Sequence, residues 1–254
     1  MAVKKPRYRV LVLDKIHAFY HRTCPILEKK ITKCPTQKNG FVGCLPYCSI
    51  TNGFGGAGAY SDGKFNITSE YGGWMNEYLD EARIEALIRY ADAINLKFGA
   101  PEAITDPTTE KVKNIERRGL AVGLKLLRGQ VRHLGTDVNL QILKNIYEFL
   151  KDKITMMYKT EVEDIILTDG TLVGVRLIGG EIFNAPKVVV APGRDGSQWL
   201  ANLCQRHKIP MKANHVDIGV RVESSNEIME EINENLYEGK FIYRTSSGSQ
   251  ARTF

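Results

Sequence analysis

The sequence between residues 52 and 64 reads Asn52-Gly53-Phe54-Gly55-Gly56-Ala57-Gly58-Ala59-Tyr60-Ser61-Asp62-Gly63-Lys64. Glycine reaches positive φ without strain and carries no Cβ, so a backbone this rich in glycine can lie directly against a flat or phosphorylated ligand. The aromatic residues Phe54, Tyr60 and Phe65 in and beside the stretch are unusual in a flexible linker. We therefore predict a ligand-contacting loop, with a flexible glycine linker as the alternative.

The same stretch contains an incomplete nucleotide-binding P-loop. Gly58 is followed after four residues by Gly63 and Lys64, but Phe65 stands where the motif needs Ser or Thr to coordinate Mg²⁺. Phenylalanine has no oxygen to offer a metal, and Asp62 would place a carboxylate near the phosphates. We predict that the chain does not hydrolyse nucleoside triphosphates.

Upstream of the loop lies a short apolar run that ends in an acid, Arg9-Val10-Leu11-Val12-Leu13-Asp14. Such an uninterrupted run is typical of a buried strand in a parallel sheet rather than of an alternating antiparallel strand. Asp14 would then lie at the carboxyl end of the strand, where open α/β sheets bind ligands. A solvated carboxylate in a turn is the alternative role for Asp14.

Downstream of the loop, three segments have helical periodicity. The first covers residues 84–98, the second follows Thr108, and the third begins near Thr136. Their apolar residues recur at intervals of three and four, namely Ile84, Leu87, Ile88, Ala91, Ile94 and Phe98 in the first segment and Leu140, Leu143, Tyr147 and Leu150 in the third. These stripes predict helix faces that pack into a core.

After Lys153 the pattern changes to short β-rich runs separated by turn residues. The runs cover residues 154–158, 161–167, 172–177, 181–184 and 187–190. Asp169-Gly170 between two of them is a strong hairpin signal, so the three middle runs predict an antiparallel meander. The last run, Val188-Val189-Val190 before a Pro-Gly turn, is uninterrupted and apolar, which predicts a return to the parallel sheet.

Composition limits the classes of function. The chain has 254 residues, of which 43% are hydrophobic, and a net charge of +6 that is spread along the sequence. No apolar run approaches the ~20 residues of a membrane span, and no recognisable nucleic-acid-binding module accompanies the basic residues. We predict a cytoplasmic protein that binds neither membrane nor nucleic acid, with the lysines on a solvated face or favouring an anionic ligand.

Four of the five cysteines, Cys24, Cys34, Cys44 and Cys48, fall in one stretch with the spacing C-x9-C-x9-C-x3-C. This spacing lacks the C-x2-C pairs of structural zinc sites and does not match the common ferredoxin patterns. We predict reduced thiols, structural or redox-active, and no metal. A metal or iron–sulfur site near the glycine-rich loop is the alternative.

The order of these segments is itself informative. It resembles the FAD-binding half of the glutathione-reductase-like flavoproteins, and most closely a bacterial family of FAD-dependent dehydrogenases of the Rossmann-type NAD(P)/FAD-binding class. The matching sequence segments are distributed over nearly the whole chain. They are Arg22-Thr23-Cys24-Pro25, residues 52–64, Arg132-His133-Leu134-Gly135-Thr136-Asp137, Ala191-Pro192-Gly193-Arg194 and Val216-Asp217-Ile218-Gly219-Val220-Arg221-Val222-Glu223. The resemblance implies a three-layer α/β fold and FAD as cofactor.

The resemblance also implies which residues contact FAD. The acid that ends the strand, Asp14, would bond the adenosine ribose, for which a carboxylate is suited because it accepts from both hydroxyls. The backbone of Val162 would pair with adenine, and the glycine-rich loop would lie beside the pyrophosphate and flavin. The full set of predicted cofactor contacts is Asp14, Lys15, Arg22, Gly53, Gly55, Gly56, Ala57, Gly58, Val162, Ala191 and Gly193. The alternatives are an acid in a turn for Asp14, an ordinary strand residue for Val162, and ordinary turn residues for the glycines.

Three further residues are candidates for chemistry on the substrate. His133 and Asp137, four residues apart near a helix start, form a candidate proton-handling pair. Arg221 is a candidate for holding an anionic substrate. A structural histidine and a surface arginine on a strand are the alternatives.

The departures from the family concern both ends of the chain. The family's first strand, its G-x-G-x-x-G turn and the following helix should precede Arg9, and Arg252-Thr253-Phe254 resembles a segment that normally continues into the substrate domain. The expectation is therefore an internal fragment that lacks the first βα unit and binds FAD poorly. Its expected domains are an incomplete FAD-binding domain at 1–68 and 131–204, a helical insertion at 69–130, and the start of a substrate domain at 205–254.

The function that follows is hydride transfer through a flavin, to or from an unknown small-molecule substrate, with NAD(P)H as a candidate electron donor. A non-catalytic remnant, or a partner-dependent module that no longer binds FAD, is the alternative. The fold alone does not fix the substrate.

Overall fold

The computed structural model describes residues 8–34, 48–213, 216, 218–236 and 238–253. Strands in this part of the chain are β1 (Leu11–Asp14), β2 (Lys64–Ile67), β3 (Leu124–Leu126), β4 (Gln130–His133), β5 (Thr155–Tyr158), β6 (Val162–Thr168), β7 (Thr171–Leu177), β8 (Ile182–Asn184), β9 (Phe241–Arg244) and β10 (Gln250–Arg252). The α-helices are α1 (Glu81–Lys97), α2 (Glu110–Ala121), α3 (Thr136–Leu150), α4 (Ser197–Arg206) and α5 (Asn226–Leu236).

The fold is mixed α/β, as predicted, but its sheets are small. β1 and β5 form a parallel pair, and β2 and β4 form an antiparallel pair. The other two sheets are three-stranded and antiparallel, with strand orders β6-β7-β8 and β10-β9-β3. The chain divides into two compact units, Met1–Tyr60 with Leu143–Val216 and Ser61–Ile142 with Asp217–Phe254. The domain boundaries expected from the sequence stay a prediction.

All three predicted helices are present, and the first two begin at N-cap side chains. Asp80 accepts a hydrogen bond from the Arg83 amide at 2.9 Å, and Thr109 accepts one from the Val112 amide at 3.3 Å. These bonds satisfy amides that have no partner within the helix. The core of the second unit lies beside α2, where Val112, Ile115, Leu126 and Leu236 are buried and Ile232 and Phe241 pack against them.

The predicted apolar stripes are only partly buried. On α1, Ile84 is buried, whereas Leu87 is 42% exposed. On α3 the buried residues are Asn139 and Ile142, and Leu140 is 37% exposed. Leu143, Tyr147 and Leu150 of the predicted stripe are half-buried, so the buried face of α3 includes part of the stripe together with Asn139 and Ile142. Asn139 faces the glycine-rich segment, where its side-chain amide donates to the Ser61 carbonyl at 3.3 Å.

The predicted meander is confirmed as the sheet β6-β7-β8. Its first turn, Asp169-Gly170, has positive φ at both residues, 50° and 75°, which matches the twist of a two-residue hairpin. Asp164 on β6 is buried and accepts hydrogen bonds from His207 Nε2 at 2.7 Å and from Arg206 Nη1 at 2.6 Å. These bonds fasten the end of α4 to the meander.

Two predictions about apolar runs need correction. Residues 187–190 form no strand, and Val189 is 91% exposed. β1 is parallel to β5 as predicted, but it is not a fully buried strand, because Val10, Leu11 and Val12 are each more than a third exposed. The physical reason is a lack of pairing partners: among the described residues, β1 has a strand on one edge only, and residues 187–190 pair with no strand.

The environment of Asp164 predicts a pH-dependent contribution to stability. Burial alone would raise the pKa of this carboxyl, but the hydrogen bonds from His207 and Arg206 hold the pKa below its ordinary value of 3.8. A carboxyl whose pKa is lowered by folding stabilises the folded state above its unfolded pKa and loses that contribution as the pH falls through the folded pKa. Asp164→Asn should therefore cost about 1.5–3 kcal/mol near neutral pH.

The test is urea unfolding of a Trp74→Phe background, in which Trp199 is the single tryptophan, between pH 7 and pH 3. The difference in free energy of unfolding between wild type and Asp164→Asn should shrink as the pH falls below 3.8, the ordinary pKa of an aspartate. Asp169→Asn in the exposed turn of the same meander is the matched control and should cost little at any pH. A difference that stays constant over the whole range would contradict the prediction.

Candidate functional site

The end of β1 is tied to the chain that follows β5. One carboxylate oxygen of Asp14 accepts from the Ile16 amide at 2.9 Å, which closes a tight turn after the strand. The carbonyls of Asp14 and Ile16 accept from the amides of Thr160 and Lys159 at 3.0 and 2.9 Å. Val162, the predicted adenine contact, comes two residues after Thr160, so the structure places it at the same end of the parallel pair as Asp14.

Arg22 organises the glycine-rich loop. Arg22 is buried, with 6% of its surface exposed. Every guanidinium nitrogen donates to a backbone carbonyl: Nε to Ser49 at 2.9 Å, Nη1 to Phe54, and Nη2 to Ile50 at 3.1 Å and to Gly56 at 2.8 Å. The hydroxyl of Tyr60 donates to the Arg22 carbonyl at 3.0 Å, and the guanidinium carbon lies 5.1 Å from the Tyr60 ring centroid. The predicted contact of Arg22 with FAD stays a prediction. Its observed partners are two carbonyls of the loop, Phe54 and Gly56, and those of Ser49 and Ile50 just before it.

The loop backbone needs glycine at specific positions. Gly53, Gly55 and Gly56 have φ values of 91°, 82° and 56°, and residues Gly56–Tyr60 then form a 3₁₀ turn. A Cβ at Gly55 would lie 2.9 Å from Leu143 Cδ1, whereas a Cβ at Gly56 or Gly58 would meet nothing within 4 Å. One side of the loop is therefore packed and the other is open. Backbone amides in such alternating conformations can form a concave site for an anion.

Aromatic packing fixes the loop to the first unit. The Phe54 ring centroid lies 5.7 Å from that of Phe19 and 5.5 Å from that of Tyr147, both in edge-to-face arrangements. Phe19 and Tyr147 stack on each other at 5.5 Å, and Ala59 at the far side of the loop is fully buried. Such packing is unlike a flexible linker, which was the alternative interpretation of the stretch.

The charges around the loop act on one another. Burial lowers the pKa of Arg22, while Tyr60, Asp14 and Cys48 oppose this effect. Burial alone would raise the pKa of the Cys48 thiol, but hydrogen bonds from Thr51 and from the Ile50 amide, together with Arg22, hold that pKa below its ordinary value. The structure thus brings the acid at the end of β1, the loop arginine and a thiol of enhanced acidity into one neighbourhood.

A second connection reaches the end of β1 from the turn before α4. Lys15 forms an ion pair with Asp195, two residues after Gly193. Gly193 has a φ of 67°, and a Cβ there would meet nothing within 4 Å. Ala191 is exposed in the same turn. The predicted contacts Asp14, Lys15 and Gly193 are therefore brought together, and Lys15 is the side chain that does so.

The candidate catalytic residues lie in the second unit. His133 ends β4, and its Nε2 is 3.6 Å from a carboxylate oxygen of Asp62, an acid of the glycine-rich stretch. Asp137 lies in the first turn of α3. The Arg221 side chain is 88% exposed, with its Nε 3.4 Å from Glu223. Asp217, in the same matching sequence segment as Arg221, lies outside the described residues. Sequence spacing pointed to Asp137 as the acid beside His133 and did not find Asp62.

The P-loop-like segment is not a P-loop in the structure. Lys64 begins strand β2 rather than a helix, and its amine forms an ion pair with Glu238. Glu238 also pairs with Lys240 at 3.2 Å. The lysine that would reach the phosphates of a nucleotide is therefore part of a structural ion-pair network.

In the described part of the chain, Cys24, Cys34, Cys48 and Cys204 form no disulfide, and Cys44 lies outside the described residues. Within the described ranges, no group of three or more His, Cys, Asp or Glu side chains is arranged to hold a metal. Over the same ranges, every helix is too short or too polar to cross a membrane.

No protein-family model and no curated protein matches the chain. Among solved structures, it is similar to the L-amino acid deaminase from Proteus vulgaris, with a TM-score of 0.36 and 12% sequence identity. The alignment covers 100% of this chain and 62% of that protein, so the chain spans less than two thirds of its length.

Proposed function

We propose that the chain is part of an FAD-dependent oxidoreductase and that its first unit contributes to the dinucleotide site. One observation carries the proposal. An acid at the carboxyl end of a parallel strand, Asp14, lies beside a glycine-rich loop whose open face is held in place by Arg22. In α/β folds, dinucleotides bind at the carboxyl ends of parallel strands, against glycine-rich turns.

The residues present fit the parts of FAD that they would contact. The carboxylate of Asp14 would accept hydrogen bonds from the ribose hydroxyls. The open side at Gly56 and Gly58 has room for a pyrophosphate or flavin edge. Lys15 and the turn at Gly193 would close the site from the α4 side. The backbone at Val162, which begins β6, would pair with adenine.

When bound, the flavin would supply hydride transfer, and the chain would supply orientation and charge. We keep His133 and Asp137 as proposed proton-handling residues, now with Asp62 as the acid beside His133. Arg221 is the proposed anion-binding residue. A three-layer Rossmann-type arrangement, a small-molecule substrate and NAD(P)H as electron donor belong to the same proposal, and the parallel pair β1-β5 with the meander β6-β7-β8 supports the first of these.

Asp14→Ala should weaken FAD binding. The loss of a hydrogen bond to a charged group costs about 1.5–3 kcal/mol, which corresponds to roughly tenfold to 150-fold in Kd. Isothermal titration of FAD into the purified chain measures the affinity, and Trp199 fluorescence shows whether the variant is folded. Asp152→Ala, at an exposed position of the same unit, is the control. An unchanged affinity in folded Asp14→Ala would remove Asp14 from the site.

A second candidate function is a partner-dependent module that binds no flavin. The observation that favours it is a run of alternate apolar residues that are 80–95% exposed, Val216, Ile218, Val220 and Val222. Exposed apolar surface of this kind marks interaction sites in folded proteins. Absence of FAD binding at millimolar concentration by a well-folded wild-type chain would favour this function over the flavin-dependent one.

A further inference from the structure

Four residues other than glycine have a positive φ in the part of the chain that the structure describes. They are Lys29, Lys159, Asp169 and Lys208, with φ values between 50° and 58°. In this region the Cβ of an L-amino acid approaches a backbone carbonyl oxygen, so glycine is the favoured residue. A residue held there against its preference points to a turn that requires the conformation or to a functional site.

Three of the four residues lie in turns of a familiar kind. Asp169 opens the two-residue hairpin turn between β6 and β7, which needs positive φ. Lys29 and Lys208 each follow a helical turn, and the amide of the residue after each of them donates at 2.8 Å to the carbonyl five residues before it. That bond is a common way for a helical segment to end.

Lys159 lies in neither kind of turn. It follows β5, and its amide donates to the Ile16 carbonyl at 2.9 Å, while the Thr160 amide donates to the Asp14 carbonyl at 3.0 Å. In the β1-β5 ladder Asp14 is paired with Tyr158, the residue before Lys159. Lys159 therefore lies at the carboxyl ends of both parallel strands. Glycine would make the same two backbone bonds without strain, so the fold alone does not account for a lysine here.

The positive charge of Lys159 is available to a ligand. The residue is exposed, and no described side chain pairs with its ammonium group. Two other basic residues near the end of β1 are already engaged: Lys15 forms an ion pair with Asp195, and Arg22 donates to four backbone carbonyls. An anion that enters from solvent would therefore find its counter-charge at Lys159.

The ligand proposed for this site carries such an anion. In FAD the ribose, which Asp14 would bind through its hydroxyls, bears the pyrophosphate on its 5′ carbon, and the adenine, which Val162 would contact, is attached to the same ribose. Lys159 lies between these two contacts in the chain, since its amide is bonded to the turn that follows Asp14 and Val162 comes three residues later. Lysine binds phosphate as a point charge on a flexible four-carbon stem.

We propose that Lys159 binds a phosphate of the dinucleotide from the adenosine side, and that this contact is the reason for a lysine at a position that favours glycine. The inference rests on the flavin proposal and adds to it a contact outside the predicted set. It follows that Lys159→Gly should weaken phosphate binding without lowering stability.

NMR titration of the full chain with ADP and with adenosine tests the contact, because the two probes differ only in the phosphates. Lys159→Gly should weaken the binding of ADP about tenfold or more, the loss expected for one hydrogen bond between charged groups, and should leave the affinity for adenosine unchanged. Lys159→Arg keeps the charge and should retain most of the affinity for ADP. Lys208→Gly, the same change at the same backbone conformation outside the site, should alter neither affinity.

Urea unfolding is the second measurement. The midpoints of Lys159→Gly and Lys208→Gly should not fall below that of wild type, because glycine adopts positive φ without strain. A lower midpoint for Lys159→Gly alone would mean that the lysine has a structural role and would overturn the proposal. Unchanged binding of ADP, or equal losses for ADP and adenosine, would overturn it as well.

Titration with FAD separates this inference from the flavin proposal. A loss of FAD affinity in Lys159→Gly similar to the loss for ADP would support both. Equal affinities of wild type and Lys159→Gly for FAD would overturn the role of Lys159 and leave the flavin site standing. A folded wild-type chain that binds neither FAD nor ADP would overturn both proposals.

Discussion

Arg22→Ala is expected to lower the free energy of unfolding of the first unit by about 4 kcal/mol. The buried guanidinium donates to the carbonyls of Ser49, Ile50, Phe54 and Gly56, and alanine would leave all four without their donor. A buried acceptor left unsatisfied costs about 1–3 kcal/mol. We take the low end for each carbonyl because the loop can relax and admit water.

Urea unfolding followed through Trp199 measures this loss. Trp199 belongs to the first unit and Trp74 to the second, so a Trp74→Phe background leaves a single reporter of the unit that contains Arg22. Arg22→Lys should fall between wild type and Arg22→Ala, because one ammonium group cannot reach four separate carbonyls. Arg9→Ala, at an exposed arginine, is the matched control. A loss below about 1 kcal/mol for Arg22→Ala would show that the loop holds its shape without this residue.

The same variant connects stability to the proposed function. If the open face of residues 53–58 binds a dinucleotide, Arg22→Lys should weaken FAD binding under conditions where the chain remains folded, because the loop carbonyls would no longer be held together. Tyr60→Phe should have a smaller effect, since it removes only one bond, from the Tyr60 hydroxyl to the Arg22 carbonyl. The order of these two effects distinguishes loop geometry from general destabilisation.

Local patterns predicted much of the fold. The three helices and the strands β1 and β5–β8 followed from apolar periodicity and turn residues, because those signals depend on residues only a few positions apart. The Asp169-Gly170 turn predicted both the hairpin and its positive φ values. By contrast, β2, β3, β4, β9 and β10 were not predicted. β2 pairs with β4 and β3 with β9, and partners this far apart in the sequence leave no local turn signal.

The failures have a common physical cause, which is dependence on distant parts of the chain. Val188-Val189-Val190 has the composition of a buried strand, but a strand forms only where a neighbouring backbone can pair with it. The role of Arg22 was also invisible, because its partners are backbone carbonyls 27–34 residues away, and carbonyls leave no mark in the sequence. Asp62 beside His133 depends in the same way on the pairing of β2 with β4.

Arg132→Ala is expected to lower the free energy of unfolding of the second unit by about 3–5 kcal/mol, the range for removing one partner of a buried ion pair. Arg132 is 4% exposed and binds Asp92 on α1 through two parallel hydrogen bonds of 2.6 and 2.7 Å. It also donates to the carbonyls of Pro101 and Ala103. Alanine would leave the Asp92 carboxylate with little solvent and without its Arg132 counter-ion, and it would loosen β4 next to His133.

A double-mutant cycle separates the pair from its surroundings. Asp92→Leu removes the carboxylate, so Arg132→Met combined with Asp92→Leu should cost clearly less than the sum of the two single changes, because no uncompensated charge remains buried. Unfolding followed through Trp74 in a Trp199→Phe background reports on the second unit alone. Arg117→Ala, at an arginine that lies 3.8 Å from Glu110 on the exposed face of α2, is the control and should cost little. Additive losses in the cycle would mean that Arg132 acts mainly through the carbonyls of Pro101 and Ala103, and that the buried charge of Asp92 is tolerated without it.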